Sequence, residues 1–294
     1  MTIGILIFSN PTEEQHSCSE MLEEAIIRRG HVCVKIYEPF LTFQSCKDKI
    51  TIKHQANPLP ILDVIICRPN FISEPSLHLY APEIFALNGY RVINGLSAIK
   101  AGKNKIAQHI AFEKNKIPCP RWGVAQKSED VVALANEIGY PVVLKVAFGT
   151  HGKGVFFTDK QETLKPIADY LAVRDRNPII VEEYIAEAKR KDLRVFIVCG
   201  KIVAAMERSA PDGDVRANTS NGGIGSPVEL NEKEADLALR AAKLFDLEIA
   251  GVDIIRSNRG PLLLEVNANP GFKELEKATG VDVAGAIVDY VAKI

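Results

Sequence analysis

Hydrophobic and polar positions along the first third of the chain predict strands and helices in alternation. The apolar run Ile3 to Phe8 predicts a buried first strand, and helical periodicity follows from about Ser19 to Arg29. Further elements are predicted as strands at Val32 to Tyr37, Val64 to Cys67 and Arg91 to Asn94, and as a helix at Tyr80 to Leu87. This alternation predicts a doubly wound parallel sheet over residues 1–97, interrupted by an irregular, polar hairpin or excursion at residues 38–60.

The middle of the chain continues with helices and strands in a different order. A lysine-rich helical pattern runs from Ser97 to Lys116 and ends at Pro118 and Pro120. Beyond it, helices are predicted at Asp130 to Ile138 and Glu162 to Ala172, and strands at Pro141 to Ala147, Val155 to Thr158 and Ile179 to Ile185.

The last third predicts consecutive strands joined by turns. Strands are expected near Arg194 to Val198 and Ile202 to Met206, then a helix at Glu232 to Phe245, a strand hairpin at Gly251 to Gly271 and a closing helix at Val283 to Ala292. Sequential strands of this kind favour an antiparallel sheet. The whole pattern therefore predicts a mixed α/β (α+β) protein.

Composition narrows the class of protein. The 294 residues are 47% hydrophobic and 25% charged, which is typical of globular proteins, and the formal net charge is −1. We therefore expect no direct nucleic-acid partner and no membrane partner. The first residues form a short apolar run without a basic leader, which favours a first strand over a signal peptide. Six cysteines without a CxxC pair favour free thiols and a cytoplasmic location.

Three side chains with oxygen atoms lie on the predicted hairpin near the end of the chain. Glu265 and Asn267 are two apart and share a strand face, and Asp253 falls opposite Glu265 if residues 258–260 form the loop with Gly260 in a left-handed conformation. A slip of one residue would turn Asp253 to the other face. Two carboxylates and an amide oxygen suit Mg²⁺ with bound phosphates. An ordinary surface hairpin explains this segment alone equally well.

A glycine-rich segment between two predicted strands is a candidate for phosphate binding. Residues 148–154 read Phe-Gly-Thr-His-Gly-Lys-Gly, and their backbone N–H groups could approach an anion closely, although a plain turn is the alternative. Lys145 lies in the apolar strand just before it, either as an edge lysine or as a cation for the same phosphates. Lys105 is a weaker candidate within a basic run.

Two further segments carry candidate binding groups. Glu182, Glu183 and Tyr184 end an apolar strand whose backbone could pair with an adenine edge, and Asp192 follows within reach of ribose hydroxyls. Arginines flank the glycine pair 222–223 and could bind phosphate or substrate carboxylates. The residues of this second segment are Arg208, Arg216 and Asn218. An edge strand and a surface loop are the corresponding structural interpretations.

Several other catalytic classes are disfavoured by missing motifs. The glycine segment lacks the GxxxxGK spacing of a Walker A loop and the GxGxxG spacing of a dinucleotide fold. The histidines form no HExxH pair, and the sequence contains no GxSxG elbow. Zinc hydrolases and serine hydrolases of these types are therefore disfavoured.

The order of these motifs resembles the ATP-grasp superfamily and, within it, the RimK family of α-L-glutamate ligases. The resemblance rests on a strand lysine before a glycine-rich loop, an E-E-Y-I strand, K-D-L-R, R-A-N before G-G, and D-x(11)-E-V-N-A-N-P-G, and it covers almost the whole chain. It implies an ATP-grasp fold with an N-terminal pre-ATP-grasp domain at residues 1–97, a central lid subdomain at 98–185 and a C-terminal subdomain with the metal site at 186–294.

The resemblance also implies roles for individual residues. ATP would be bound by Lys105, Lys145, Gly149, Thr150, Gly152, Gly154, Glu182, Glu183, Tyr184, Asp192, Arg216, Ala217 and Asn218. Two Mg²⁺ or Mn²⁺ ions would be held by Asp253, Glu265 and Asn267. Lys145, Arg208 and Arg216 would act in catalysis, and Arg68 is a weak candidate for orienting a carboxylate. Family loops commonly read R-S-N with a later arginine, and the Ala217, Asn221, His151 and Lys153 of this chain depart from the family pattern.

The implied activity is an ATP-dependent carboxylate–amine ligase that forms an acyl phosphate and then an amide. We expect L-glutamate as the amine and the carboxylate of a protein C-terminus or small molecule as the acceptor, as in a ligase that modifies ribosomal protein S6. The alternatives are a related ligase with another acceptor or amino acid (a cofactor tail, carrier protein or peptide), and a nucleotide-binding module without catalysis. We expect a homo-oligomer, either a dimer or a tetramer.

Overall fold

The computed structural model describes residues 1–11, 17–47, 49–69, 75–147, 154–174, 176–211 and 223–294. Within those ranges the strands form four sheets, and helices cover their faces. The predicted mixed α/β class is therefore confirmed. No helix of the described ranges has both the length and the apolar character needed to cross a membrane.

The N-terminal sheet is parallel, as predicted. Its strands are β1 (Thr2–Ile7), β2 (Val32–Tyr37), β6 (Val64–Arg68) and β7 (Val92–Ile93), in the order β2-β1-β6-β7. Helix α1 (Ser17–Arg28) packs on one face with the C-terminal helix α10 (Val283–Val291), and α3 (Tyr80–Leu87) packs on the other. Ile5 of β1 enters the first core and Leu6 the second. Burial on both faces explains the unbroken apolar run of β1.

Residues 38–60 are more ordered than predicted. After a short 3₁₀ turn at Glu38–Phe40, β3 (Leu41–Cys46), β4 (Lys49–His54) and β5 (Asn57–Pro58) form a three-stranded antiparallel sheet. Leu41, Phe43 and Ile52 pack against the core beneath α3. The expected hairpin is thus present, and the irregular structure expected for this segment is wrong.

The single helix expected at residues 97–116 is divided into two. Helix α4 spans Leu96–Lys103 and α5 spans Lys105–Lys114, while the short helix α2 (Pro75–His78) lies earlier in the chain. Asn104 interrupts the pattern because its extended backbone ends α4, and its side-chain oxygen accepts a 3.0 Å hydrogen bond from the Ala107 N–H at the start of α5. This is the usual behaviour of asparagine at a helix N-terminus.

The central sheet is antiparallel and has the order β10-β9-β11-β8. It contains β8 (Trp122–Ala125), β9 (Val142–Val146), β10 (Val155–Thr158) and β11 (Ile179–Glu183). Helices α6 (Ser128–Ile138) and α7 (Gln161–Arg174) share its core. Strand β8 was not predicted, and its residues are all only partly buried.

The third sheet is antiparallel with the order β14-β13-β12-β15-β16, as the turns of the last third predict. Its strands are β12 (Lys191–Val198), β13 (Lys201–Ser209), β14 (Ile224–Pro227), β15 (Ile249–Ser257) and β16 (Gly260–Asn267). Helix α8 (Glu232–Leu244) begins with a capping box between Asn231 and Glu234, and α9 (Lys273–Thr279) follows β16. The subdomain boundaries after residues 97 and 185 stay predictions.

Candidate active site

The predicted metal ligands lie on the hairpin of β15 and β16. Asp253 is directly opposite Glu265, and Asn267 lies two residues further on the same strand face, as predicted. The predicted loop of residues 258–260 is wrong, because Ser257 pairs with Gly260 (φ +103°) across a two-residue turn. A bulge at Leu264 supplies the extra residue, so the expected register at Asp253 is retained.

Asp253 is buried and surrounded by arginines. Arg194, its cross-strand neighbour on β12, donates to both carboxylate oxygens at 2.5 Å and 2.9 Å. Arg208 on β13 lies 3.2 Å from Oδ2. Burial alone would raise the pKa of Asp253, but the attraction of Arg194 and Arg208 outweighs it and lowers the pKa. Asp253 is therefore an anion at neutral pH.

Arg208 is committed to two carboxylates of the protein. It donates to Asp192 Oδ1 and Oδ2, both at 2.7 Å, in addition to its ion pair with Asp253. Only 3% of the residue is exposed. Burial would lower the pKa of Arg208, but the two acids raise it. The arrangement places Arg208 between Asp192 and Asp253 and does not present its guanidinium to a substrate carboxylate, the role predicted for it.

Glu265 and Asn267 complete the cluster on this face. Glu265 Oε1 lies 3.0 Å from Lys105 Nζ, and Lys105 is the first residue of α5. Asn267 Nδ2 lies 3.5 Å from Asp253 Oδ2 and 3.4 Å from the Gly251 carbonyl oxygen. Among the described residues, no group of three or more His, Cys, Asp or Glu side chains forms a metal cluster. Any cation here would therefore be held by a mixed carboxylate and amide set.

Lys145 lies on β9, an inner strand of the central sheet, so the alternative of an edge lysine is wrong. Its Nζ forms an ion pair with Glu182 Oε2 on the neighbouring strand β11. Glu182 is only 2% exposed, and its other oxygen lies 3.5 Å from His109 Nε2. The cation predicted for phosphates is thus held by an internal carboxylate in this structure.

The strand end proposed as an adenine edge is already hydrogen-bonded within the protein. The Glu183 N–H donates to the Arg121 carbonyl oxygen at 2.8 Å, and the Tyr184 N–H donates to the Pro141 carbonyl oxygen at 3.3 Å. The Glu183 carboxylate binds the Arg121 and Arg259 side chains at 3.3 Å and 2.6 Å. The N–H groups of Glu183 and Tyr184 and the Glu183 carboxylate are therefore engaged within the protein.

An open cleft joins these groups. Its walls include the apolar side chains Val143, Val155, Ile185, Ile255 and Leu264. Its polar lining residues include Lys145, Glu182, Asp192, Asp253 and Glu265. The cleft thus has an apolar part next to a charged part, the mixed lining that is typical of a small-molecule site.

Part of the predicted site lies outside the described residues. These positions are Gly149, Thr150, His151, Gly152 and Lys153 of the glycine-rich segment, and Arg216, Ala217, Asn218 and Asn221 of the later loop. Gly154 is described, with φ +83°, and its carbonyl oxygen accepts a 3.0 Å hydrogen bond from the Val146 N–H. The end of the glycine-rich segment therefore returns to the strand that carries Lys145.

Comparisons with known proteins identify the family. Residues 102–291 match the model of the RimK-like ATP-grasp domain. The chain belongs to the RimK-like ATP-grasp family. A probable alpha-L-glutamate ligase of an Enterobacter species and the ribosomal protein bS6–L-glutamate ligase of Salmonella paratyphi B are each 36% identical over 282 residues, which is 95% of this chain and 92% of each relative. These findings confirm the prediction of an ATP-dependent ligase.

The solved structure of a RimK domain ATP-grasp protein from Sphaerobacter thermophilus confirms the predicted ATP-grasp fold. It superposes with a TM-score of 0.75 over 99% of both chains, at 20% sequence identity. At that identity, the similarity concerns the fold alone.

Sequence reasoning missed three side chains that shape this RimK-like site. Arg194 was visible in the K-D-L-R motif, but nothing in the motif showed that it lies opposite Asp253. Gln108 of α5 is buried and donates to the Val266 carbonyl oxygen at 3.0 Å, while it accepts from the Val266 N–H at 2.8 Å. His109 is buried against Trp122, with ring centroids 4.9 Å apart. These are single polar residues whose partners lie far away in sequence.

His109 should make the stability of this ATP-grasp protein depend on pH. Burial lowers the pKa of His109 from 6.5 to about 4, although Glu182 acts to raise it. Between those values the unfolded chain binds a proton that the folded chain does not, so the free energy of unfolding should fall as pH drops from about 6.5 to about 4. The full shift corresponds to roughly 3 kcal/mol.

A His109→Phe variant should lose this dependence while keeping the ring contact with Trp122. Urea unfolding at pH 7 and pH 5 measures the effect as the difference between the two pH values in each protein. A His31→Gln variant, changed at a partly exposed position, should behave like the wild type. Equal pH dependence in the His109→Phe variant and the wild type would contradict the assignment.

Proposed function

We propose that this protein uses ATP and a divalent cation to join the amine of L-glutamate to the carboxylate of an acceptor. The observation that carries the proposal is the cleft in which Lys145 and the Asp253–Glu265 pair lie beyond an apolar pocket. Family membership and two relatives named as glutamate ligases support ATP and glutamate as substrates.

The donor set on the hairpin fits Mg²⁺ or Mn²⁺. Asp253 and Glu265 supply carboxylate oxygens, and Asn267, whose amide nitrogen faces Asp253 in this structure, would supply its amide oxygen. From the described residues, Asp253 Oδ1 accepts a hydrogen bond from Arg194 alone, and a carboxylate oxygen has a second lone pair that could meet a cation. We propose that these three residues hold two ions. When bound, the ions would neutralise charge on the phosphate oxygens during transfer.

The remaining cleft residues would bind and orient ATP. We propose that the apolar walls hold the adenine ring, that the carbonyl groups at Glu182, Glu183 and Tyr184 meet its edge, and that Asp192 meets the ribose. Lys105 and Lys145 would bind phosphates, with Gly154 and the glycine-rich segment before it. Both lysines would then exchange their present carboxylate partners, Glu265 and Glu182, for phosphate oxygens. Arg216, Ala217 and Asn218 belong to the same proposal.

The chain's own residues would act by position and charge rather than by covalent catalysis. An acceptor carboxylate oxygen would attack the γ-phosphorus, and ADP would leave. The glutamate nitrogen would then attack the acyl carbon, lose a proton and expel phosphate. Arg194 and Arg208 would keep Asp253 ionised and fixed in place through their hydrogen bonds. We therefore assign Arg208 to positioning, and we propose Arg216 and Lys145 for contact with the transferred group.

The acceptor and the assembly extend the proposal further. We propose a protein C-terminal carboxylate as the acceptor, because the Salmonella relative is named for ribosomal protein bS6. A related small-molecule or peptide carboxylate is the second candidate. We further propose that the protein is a homo-oligomer in the cytoplasm and that nucleic acid is not a direct partner. The same proposal includes subdomain boundaries after residues 97 and 185.

Product mass tests the function directly. Wild-type protein should be incubated with ATP, Mg²⁺, each amino acid in turn, and either a peptide with a free C-terminal carboxylate or small carboxylic acids. We expect the acceptor mass to rise by one or more glutamyl units, with stoichiometric ADP and phosphate. Omission of ATP or of glutamate should prevent the change. Products containing only other amino acids would contradict the glutamate assignment.

A further inference from the structure

Arg68 is a buried arginine without an acidic partner. It ends β6 of the N-terminal sheet and is 5% exposed. Its Nη1 donates to the Pro270 carbonyl oxygen at 3.3 Å, its guanidinium lies 5.6 Å from the centre of the Phe272 ring, and it also forms a hydrogen bond with the Cys18 thiol. Among the described residues, its Nε has no hydrogen-bond partner. Within the described residues, no carboxylate pairs with it. A buried charge of this kind is costly unless an anion meets it.

Lys103, the last residue of α4, adds a second positive charge beside Arg68. It forms no ion pair within the described part of the chain. Burial lowers the pKa of Lys103 to about 8, and the positive charges of Lys105 and Arg68 act in the same direction, while Glu265 opposes them. Gly102, the residue before Lys103, packs closely against Ala268, and Arg68 binds the Pro270 carbonyl oxygen, so both cations lie beside the segment that follows Asn267, where they repel each other. An anion bound between them would remove that repulsion.

The other cations next to the predicted metal ligands are already neutralised. Arg194 and Arg208 bind Asp253, Lys105 binds Glu265, and Lys145 binds Glu182. Arg68 and Lys103 differ because the described ranges contain no carboxylate that pairs with either of them. Arg68 also contacts Pro270, three residues after Asn267 on the segment that leaves the site. Arg68 therefore lies against the segment that follows the predicted metal ligand Asn267.

We propose that Arg68 and Lys103 form a binding site for a substrate carboxylate that does not react, namely one of the two carboxylates of the incoming glutamate. This inference rests on the proposed function. Glutamate reacts through its amine, so both of its carboxylates stay anionic and need partners. The planar guanidinium of Arg68 suits a carboxylate through paired hydrogen bonds. For the phosphates of ATP the proposed partners are Lys145, which lines the cleft, and Lys105, which pairs with Glu265 of the cleft lining.

Kinetic constants of Arg68→Met and Lys103→Met variants test the site. We expect the KM for glutamate to rise on the order of 10- to 100-fold, as loss of a charge-assisted hydrogen bond predicts, with the KM for ATP changed by less than about threefold. Arg68→Lys should lie between Arg68→Met and the wild type. An unchanged KM for glutamate, or an equal rise in the KM for ATP, would overturn the inference.

Glutamine and isoglutamine identify the carboxylate involved. Each replaces one carboxylate of glutamate with an amide, and the wild type should discriminate against at least one of them. That discrimination should shrink about 10-fold or more in Arg68→Met. Discrimination that stays intact in Arg68→Met would overturn the inference. A wild type that ligates no glutamate would instead reject the proposed function, so the two failures are distinguishable.

Thermal unfolding of the free protein separates binding from a structural role. Because no carboxylate of the described residues pairs with Arg68, Arg68→Met should leave the Tm unchanged or raise it, while glutamate binding is weakened. Added glutamate together with a non-hydrolysable ATP analogue should raise the Tm of the wild type more than that of the variant. A variant with a strongly lowered Tm and a proportional loss of all activity would show that Arg68 is structural.

Discussion

A Glu265→Gln variant is expected to lose about 10³-fold in kcat for ATP-dependent ligation while remaining folded. Glutamine keeps the shape of the side chain and can still accept the hydrogen bond from Lys105, but it removes the negative charge from the proposed cation site. The variant should be slow in the step that transfers the phosphoryl group, because negative charge is redistributed over the phosphate oxygens in that step. Release of ADP in the presence of glutamate and acceptor measures this step.

A matched change shows that the effect is local. Glu274 lies on α9, is about half exposed and is 4.0 Å from Lys277, so Glu274→Gln makes the same chemical change away from the cleft. That variant should keep wild-type kcat. Both variants should unfold within about 1 kcal/mol of the wild type, because neither glutamate is fully buried. Near-normal ADP release by Glu265→Gln would show that the metal assignment is wrong.

The register of the site could be predicted from sequence, but for a partly wrong reason. Alternation places Glu265 and Asn267 on one face, and an extra residue between Asp253 and Glu265 is needed to bring Asp253 to the same face. The prediction put that residue in the loop at 258–260, whereas the chain uses a bulge at Leu264. A three-residue loop and a bulge each add one residue between Asp253 and Glu265, so both place the same side chains on the same face. The pattern of side chains alone therefore does not distinguish them.

The ion pairs of the site are less accessible to sequence reasoning. Lys145 was expected to face phosphates, and in this structure it contacts Glu182, two residues away from its strand partner Ile180. Arg208 was expected to meet a substrate, and it is held between Asp192 and Asp253. Such pairings depend on which strands become neighbours, and strand order is a long-range property that local patterns do not encode.

Weakly patterned elements explain the remaining differences in the fold. Strand β8 is short, and α9 has only seven residues, so neither has enough length for a periodicity to emerge. Asn104 is a recognisable helix-capping residue, but the lysine-rich helical pattern continues on both sides of it, so the break between α4 and α5 was not predicted. The parallel N-terminal sheet was predictable because its inner strands β1 and β6 are mostly apolar and buried, as burial on both faces requires.

Asn94 joins the N-terminal sheet to the hairpin that carries the metal ligands. It follows β7 and is 2% exposed. Its Nδ2 donates to the Ile249 and Ala268 carbonyl oxygens, both at 2.7 Å, and its Oδ1 accepts from the Glu248 and Ile249 N–H groups, both at 2.9 Å. One amide therefore satisfies backbone groups at the start of β15 and just beyond the end of β16, next to Asn267.

An Asn94→Ala variant is therefore expected to lower the free energy of unfolding by about 3–5 kcal/mol, measured by urea denaturation. Alanine removes four hydrogen bonds and leaves buried N–H and carbonyl groups without partners.

Asn88→Ala is the matched control, because the exposed Asn88 side chain makes a 2.8 Å bond to the Ile84 carbonyl oxygen, and its loss should cost about 1 kcal/mol or less. If both variants lost the same small amount, the Asn94 contacts would not hold the sheet against the hairpin. A large loss confined to Asn94→Ala would support the view that these hydrogen bonds hold the N-terminal sheet to the hairpin that carries Asn267.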